Sequence, residues 1–91
     1  MKMNENKYWV YILFSEKYNK FYIGQTNNMK ERLRRHNSGS EKATKPYIPW
    51  TLKISLEKED RATAMSLEKK LKNLSKSRIL QFIEKYGNSD L

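Results

Sequence analysis

Residues 7–25 read KYWVYILFSEKYNKFYIGQ, and they carry the strongest secondary-structure signal in the chain. The run over residues 7–14 is apolar on both alternations, which predicts a strand buried on both faces. A polar turn containing Asn19 follows, and residues 21–25 predict a second strand that ends near Gly24. Two such runs joined by a short turn predict an antiparallel hairpin.

Helix signals follow directly after the hairpin. Asn28 can accept a hydrogen bond from a free backbone N–H group, and Glu31 completes a capping-box-like pair with it. The helix is expected to end near His36, with Arg32 beside its inward face. That face is formed by Met29, Leu33 and His36. Residues 37–49 contain one glycine, two prolines and several small polar residues, which predicts a loop.

The second half of the chain predicts one strand and two helices. Residues 50–57 alternate between apolar and polar side chains, as expected of a strand with one solvated face. The inward-facing set is Trp50, Leu52, Ile54 and Leu56. Asp60 can cap a helix that runs to about Leu74, and Ser75 can cap a last helix over residues 76–86.

These elements predict an α+β fold, with a three-stranded mixed or antiparallel sheet flanked by helices in the order β-β-α-β-α-α. The chain of 91 residues has room for one core, expected over about residues 8–86 of a single domain spanning residues 1–91. It contains no cysteine, which excludes disulfides and thiolate metal sites and fits a reducing cytoplasm. No apolar run approaches the about 20 residues of a membrane span, so we expect a cytoplasmic protein without membrane contact.

The charge balance points to a polyanionic partner. Lys and Arg number 19 against 10 Asp and Glu, for a formal net charge of +9. Such a field favours nucleic acid through phosphate contacts and counterion release, although a merely solubilising surface is the alternative. The candidate contacts are Arg34 and Arg35 on the first helix, Lys42 and Lys45 in the loop, and Lys76 and Arg78 on the last helix. Plain exposed charge is the alternative interpretation of all six residues.

Glu68 is the acidic residue whose position is most informative. On the predicted second helix it lies about 40° from Ala64, at the flank of the buried stripe. A carboxylate there needs a partner, which can be a cation, a hydrogen-bond network or a metal ion. Lys72, four residues on, offers an ordinary surface ion pair as the alternative. The other acidic residues are scattered, which disfavours the clustered carboxylates of a two-metal site.

Four further residues could take part in phosphate chemistry. Arg32 could bind one phosphate with both arms of its guanidinium, or could instead bond to backbone carbonyls. His36, the single histidine, could relay a proton or simply hold the end of its helix. Tyr11 and Tyr22 stand on adjacent predicted strands, but a tyrosine with a pKa of about 10 is a poor base unless a nearby cation lowers it.

Together these residues resemble a known family. Trp9-Val10-Tyr11, followed after a short turn by Tyr22-Ile23-Gly24, is similar to the paired motif that names the GIY-YIG nuclease superfamily. Trp9-Val10 replaces Gly-Ile in the first half, whereas the second half is intact. Arg32, His36 and Glu68 follow in the order and on the elements that the family uses. The resemblance covers about residues 8–83 and is to small stand-alone bacterial members, relatives of the catalytic domain of the excision-repair excinuclease.

The resemblance implies hydrolysis of phosphodiester bonds with one divalent metal ion, Mg²⁺ or Mn²⁺, bound by Glu68. It implies that one of Tyr11 and Tyr22 activates the attacking water while the other orients it or contacts phosphate. Arg32 would stabilise charge on the phosphate and His36 would support or relay a proton. Gly24 would permit a close approach to the backbone. The substrate implied is nucleic acid, with DNA favoured over RNA and a role in repair or recombination, and with specificity supplied by a homodimer or a partner protein.

One departure from the family leaves a second function open. Many members keep an asparagine some turns after the glutamate, whereas residues 76–81 offer none and Asn73 is only five residues beyond Glu68. The alternative to an endonuclease is therefore a catalytically weak or inactive module that binds nucleic acid with the same fold. A structural or protein-interaction domain is the third interpretation, and it requires that nucleic-acid binding be absent at low salt.

Overall fold

The hairpin at the start of the chain is joined by a third strand in the computed structural model, which describes residues 7–87. The strands are β1 (Tyr8–Ser15), β2 (Lys20–Thr26) and β3 (Thr51–Lys58). Their order in the sheet is β2-β1-β3, and β1 pairs antiparallel with both neighbours. Of the two sheet types expected, the antiparallel one is therefore present. The expected domain limits at residues 1 and 91 lie outside the described residues.

Three helices flank this sheet in the predicted order β-β-α-β-α-α. They are α1 (Met29–Ser38), α2 (Arg61–Lys72) and α3 (Lys76–Tyr86), and a single 3₁₀ turn spans Lys45–Tyr47. The first helix is two residues longer than expected and ends at Gly39, whose φ of 87° favours glycine. The second helix stops two residues earlier than expected. No helix within residues 7–87 is long and apolar enough to cross a membrane.

The central strand β1 is buried on both faces, as its sequence predicted. Val10 and Ile12 point to one side, where they pack with residues from α2 and α3. Tyr11 and Leu13 point to the other side, where they pack with Trp50 and with two residues of α1. All four β1 side chains are at most 1% exposed. The sheet therefore separates two apolar layers, and β1 contributes to both.

The prediction that Trp50, Leu52, Ile54 and Leu56 share one face is wrong. Trp50 and Leu52 pack in the layer of Tyr11, whereas Ile54 and Leu56 pack in the opposite layer. The register explains this, because Ile12 pairs with Ile54 while the next residue of β1 pairs with Leu52. Lys53 is thus an extra residue in β3, and a bulge of one residue moves all following side chains to the other face.

The predicted capping box at the start of α1 is only half present. The backbone N–H of Glu31 donates to Oδ1 of Asn28 at 3.1 Å, as expected of an N-cap. The backbone N–H of Asn28, however, donates to Oγ1 of Thr26 at 3.0 Å. The Glu31 carboxylate instead binds the guanidinium of Arg34 on the surface.

Candidate active site

The phenol ring of Tyr11 lies directly over the backbone of Gly24. The two residues are partners in the register of β1 and β2. A Cβ atom at position 24 would lie 2.6 Å from Oη and 2.8 Å from Cζ of Tyr11, closer than real contacts allow. The missing side chain of Gly24 is therefore what lets the phenol cross β2, the edge strand of the sheet.

The hydroxyl of Tyr11 begins a buried chain of hydrogen bonds. Its oxygen is 2.9 Å from Nε2 of His36, and Nδ1 of His36 is 2.9 Å from Oγ1 of Thr44. The Thr44 hydroxyl in turn donates to the carbonyl of Glu41 at 3.4 Å. Because that hydroxyl has one proton, it accepts from Nδ1–H, and Nε2 is left to accept from Tyr11. We assign the histidine tautomer from this network of hydrogen bonds. We call this series of hydrogen bonds the Tyr11–His36–Thr44 relay.

Both ring groups of the relay are neutral at pH 7. Burial raises the pKa of Tyr11 to about 12; the Arg32 guanidinium opposes this rise, and Tyr22 and Glu68 add to it. Burial lowers the pKa of His36, and the positive charges of Arg32 and Arg35 lower it further against the opposing effect of Glu41. The phenol is therefore a donor and the imidazole an acceptor in the resting state.

The aromatic ring of Tyr22 packs against the His36 imidazole, and Trp50 packs behind Tyr22. The ring centroid of Tyr22 is 4.9 Å from that of His36 and 6.4 Å from that of Tyr11. Trp50 packs against Tyr22 at 6.2 Å, and its indole N–H donates to the carbonyl of Thr44 at 2.9 Å. The indole thereby fixes the loop segment that carries the end of the relay.

The loop is anchored a second time by Asn37. Its side-chain amide donates to the carbonyl of Trp50 at 3.0 Å, and its side-chain oxygen accepts from the backbone N–H of Trp50 at 2.6 Å. Sequence reasoning missed both Asn37 and Thr44. Thr44 is fully buried in a segment with no hydrophobic periodicity, so no local pattern marks it as inward-facing.

Glu68 reaches the same edge strand from α2, on the other side of the sheet. Its Oε1 accepts from Nε2 of Gln25 at 2.8 Å, and its Oε2 is 3.0 Å from Nζ of Lys72. Gln25 follows Gly24 directly, so the glutamate and the Tyr11 phenol meet around two consecutive residues of β2. Gln25 was also missed as a site residue, because its partner lies 43 positions away.

Two open clefts flank the side chain of Gln25. One of about 270 Å³ is lined by Tyr8, Thr26 and Arg32, and the other of about 460 Å³ by Glu68, Lys72 and Asn73. Arg61 contributes to both clefts. Arg32 is half-buried here, between the cleft and the Tyr11 phenol. A phosphodiester lying across Gln25 could thus touch the arginine on one side and the glutamate on the other.

The donor set at this place suits one hard divalent cation. Within residues 7–87 no group of three or more His, Cys, Asp or Glu side chains could hold a metal ion. Mg²⁺ nevertheless often uses one or two carboxylates and completes its six positions with waters and substrate oxygens. The Glu68 carboxylate is 18% exposed and borders an open cleft, so it can offer an oxygen to such an ion.

The six basic residues predicted to contact nucleic acid line neither of the two clefts beside Gln25. Arg34 pairs with Glu31 and Arg35 with Glu41, each at 2.6 Å. Lys76 donates to the carbonyl of Asn19 in the hairpin turn. That turn is about 20 Å along β2 from Gln25. The other three candidates, Lys42, Lys45 and Arg78, are exposed.

Fold and site together define a GIY-YIG domain. Residues 7–85 match the GIY-YIG catalytic domain family, and the chain belongs to that family. Within the family it is similar to small bacterial UPF0213 proteins. A UPF0213 protein of Bacillus cereus (strain ATCC 10987 / NRS 248) is 32% identical over 84 residues, which are 91% of this chain and 86% of the relative.

Two further comparisons agree with this placement. A UPF0213 protein of Vibrio parahaemolyticus serotype O3:K6 (strain RIMD 2210633) is 32% identical over 85 residues, covering 92% of this chain and 80% of the relative. The solution NMR structure of a UPF0213 protein from Bacillus halodurans superposes with a TM-score of 0.60 at 28% identity, covering 90% of this chain and 87% of that one. The fold expected from the motif residues is confirmed.

Proposed function

We propose that this protein is a metal-dependent endonuclease that hydrolyses phosphodiester bonds, with DNA as its preferred substrate. The observation that carries the proposal is the meeting of the Tyr11–His36–Thr44 relay with Glu68 around Gly24 and Gln25. The Arg32 guanidinium lines the cleft on one side of Gln25, and the Glu68 carboxylate lines the cleft on the other side. Membership of the GIY-YIG family supports the same reaction class.

In this proposal Tyr11 takes a proton from the attacking water while its own proton passes to Nε2 of His36. A phenol with a pKa of about 12 is not ionised at neutral pH, so the two transfers must be coupled. The imidazolium that forms keeps its Nδ1–H bond to Thr44. Tyr22, which packs against His36, orients the water or contacts the phosphate.

Groups on both sides of Gln25 stabilise the negative charge of the phosphate in this proposal. Arg32, which is half-buried at the cleft, supplies two parallel N–H donors to the non-bridging oxygens. Glu68 holds the divalent cation, Mg²⁺ or Mn²⁺. When bound there, such an ion lowers the pKa of water and neutralises charge on the phosphate.

The net charge of +9 supports a polyanionic substrate. The resemblance of the motif residues to excision-repair nucleases favours a role in DNA repair or recombination in the cytoplasm. Arg34, Arg35, Lys42, Lys45, Lys76 and Arg78 are proposed to hold the flanking nucleotides. Contacts from lysine and arginine to phosphates carry no sequence information, so these residues fit recognition of shape rather than sequence. A second copy or a partner protein would then add specificity.

The test is a cleavage assay on supercoiled plasmid, branched DNA, single-stranded DNA and RNA, with Mg²⁺, with Mn²⁺ and with chelator. Glu68→Gln should abolish metal-dependent cleavage, while Glu84→Gln on the exposed face of α3 should not. Undiminished cleavage by pure Glu68→Gln protein would refute the assignment of the glutamate. Salt-sensitive binding without strand breaks on every substrate would instead establish the non-cleaving binding module.

A further inference from the structure

The two oxygens of the Glu68 carboxylate have different kinds of partner. Oε1 accepts from the neutral amide of Gln25, which is half-buried on β2. Oε2 faces the ammonium of Lys72, whose side chain is 55% exposed. The Gln25 partner is thus neutral and belongs to the sheet. The Lys72 partner is charged and can exchange its contact with Oε2 for water.

These two partners have opposite consequences for a divalent cation. The Gln25 amide leaves the negative charge of the carboxylate intact and occupies Oε1 with a hydrogen bond. The Lys72 ammonium sits 3.0 Å from Oε2, where it repels any further cation that approaches the same oxygen. Because the Lys72 side chain is 55% exposed, water screens this ion pair between residues four apart on a helix, so its exchange for a metal ion costs little.

We propose that Lys72 is the resident cation of the metal site and that a divalent metal ion binds Glu68 by displacing it. Gln25 keeps Oε1 in place during the exchange. The displaced ammonium remains in the cleft lined by Arg61 and Lys69, where it can form an ion pair with a substrate phosphate. This inference rests on the proposed function, because it assumes that Glu68 is the metal-binding residue.

The experiment measures Mn²⁺ affinity of the whole chain without nucleic acid, by titration calorimetry or by loss of the free-ion EPR signal. Lys72→Met removes the ammonium but keeps a long side chain. Lys69→Met is the matched control, because it removes the same charge from the same helix and the same cleft. Within residues 7–87, the ion pair of Glu68 is with Lys72 and not with Lys69.

We expect Lys72→Met to tighten Mn²⁺ binding by roughly fivefold relative to Lys69→Met, as removal of a unit charge next to a carboxylate that borders an open cleft predicts. Lys72→Arg, which keeps the cation, should bind Mn²⁺ as the wild type does. Equal affinities for the two methionine variants, or weaker binding in Lys72→Met, would overturn the exchange. Glu68→Gln separates the two hypotheses, since unchanged Mn²⁺ binding in that variant would refute the metal assignment itself.

Discussion

The hydroxyl oxygen of Tyr11 lies 2.9 Å from Nε2 of His36, although the residues are 25 positions apart in the chain. Neither side chain is more than 1% exposed. The groups proposed to move a proton are therefore part of the hydrophobic core. Substitutions of Tyr11 or His36 should therefore lower the free energy of unfolding as well as the rate of cleavage.

Tyr11→Phe removes the donor of this bond and leaves Nε2 of His36 buried without a partner. An unsatisfied buried acceptor costs about 1–3 kcal/mol, which should appear as a lower free energy of unfolding in urea. Cleavage should fall by roughly 10²–10⁴-fold, because the proton acceptor for water is lost. Tyr18→Phe, at an exposed turn position, is the control and should change neither quantity. Wild-type activity in Tyr11→Phe would remove this residue from the mechanism.

Stability should decrease as the pH falls below about 6.5. Burial lowers the pKa of His36, so the unfolded chain binds a proton at a higher pH than the folded one. The contribution is fully present above the unfolded value of 6.5 and is lost as the pH falls towards the lower folded value. Urea midpoints at pH 7.5, 6.5 and 5.5 measure it. His36→Gln, which cannot titrate, should flatten the dependence; an equal slope in both proteins would contradict the prediction.

The same linkage acts in the opposite direction for Tyr11. Its pKa is raised from 10.0 to about 12, so the unfolded chain releases the phenol proton first. The stabilising contribution is present below pH 10 and is lost as the pH rises from 10 towards 12. Absorbance of tyrosinate, followed during an alkaline titration, should show a component that ionises near the raised pKa of about 12 and is absent in Tyr11→Phe.

Thr44→Val tests whether the far end of the relay orients His36. Valine has nearly the same shape but cannot accept from Nδ1–H, so the imidazole loses the bond that fixes its tautomer. We expect about 1–3 kcal/mol of destabilisation and slower cleavage, with changed ¹⁵N shifts of the single histidine. Thr44→Ser keeps the hydroxyl and should retain the wild-type shifts. Identical spectra for Thr44→Val and wild type would disprove the relay.

Gly24→Ala should displace the Tyr11 phenol. The new Cβ would lie 2.6 Å from Oη, and the chain cannot accept it without moving the ring or the edge strand. Overpacking of this kind costs about 1–3 kcal/mol, and cleavage should be lost while the protein still folds. The ring shift is visible in NMR signals of Tyr11 and His36. A folded variant with unchanged signals and activity would show that the contact is not limiting.

Arg32→Ala and Arg34→Ala compare two arginines of one helix. Arg32 is half-buried beside the Tyr11 phenol, whereas Arg34 is exposed and paired with Glu31. Removing a preorganised donor to the phosphate should lower kcat by roughly 10²–10³-fold in Arg32→Ala. Arg34→Ala should mainly weaken binding and reduce its salt dependence. Equal losses of kcat in both would mean that Arg32 acts only through net charge.

The elements of this fold could be predicted from sequence because each carries a local signal. The apolar run at Tyr8–Ser15, the Asn28 cap and the Asp60 cap all mark their elements without knowledge of the rest of the chain. The family resemblance added the expected roles of Tyr11 and Gly24, which composition alone could not reveal, whereas their pairing across β1 and β2 is seen only in the structure.

The missed parts of the site depend on long-range contacts. Gln25 belongs to the site because it binds Glu68, and Thr44 because it binds His36. Neither contact can be recognised from the residues that neighbour Gln25 or Thr44 in sequence. The bulge at Lys53 is invisible for a different reason, since a simple alternation of apolar residues continues straight through it. Only pairing with β1 shows that the alternation belongs to two faces.

That bulge makes the number of residues in β3 matter more than their identity. Trp50, which anchors the loop above His36, and Ile54, which packs against the opposite helices, belong to different layers only because Lys53 is inserted between them. A conservative substitution in β3 leaves this arrangement intact. Deletion of a single codon there would turn the indole away from Thr44. Among homologues of this fold, β3 should therefore vary more in the identity of its side chains than in its length.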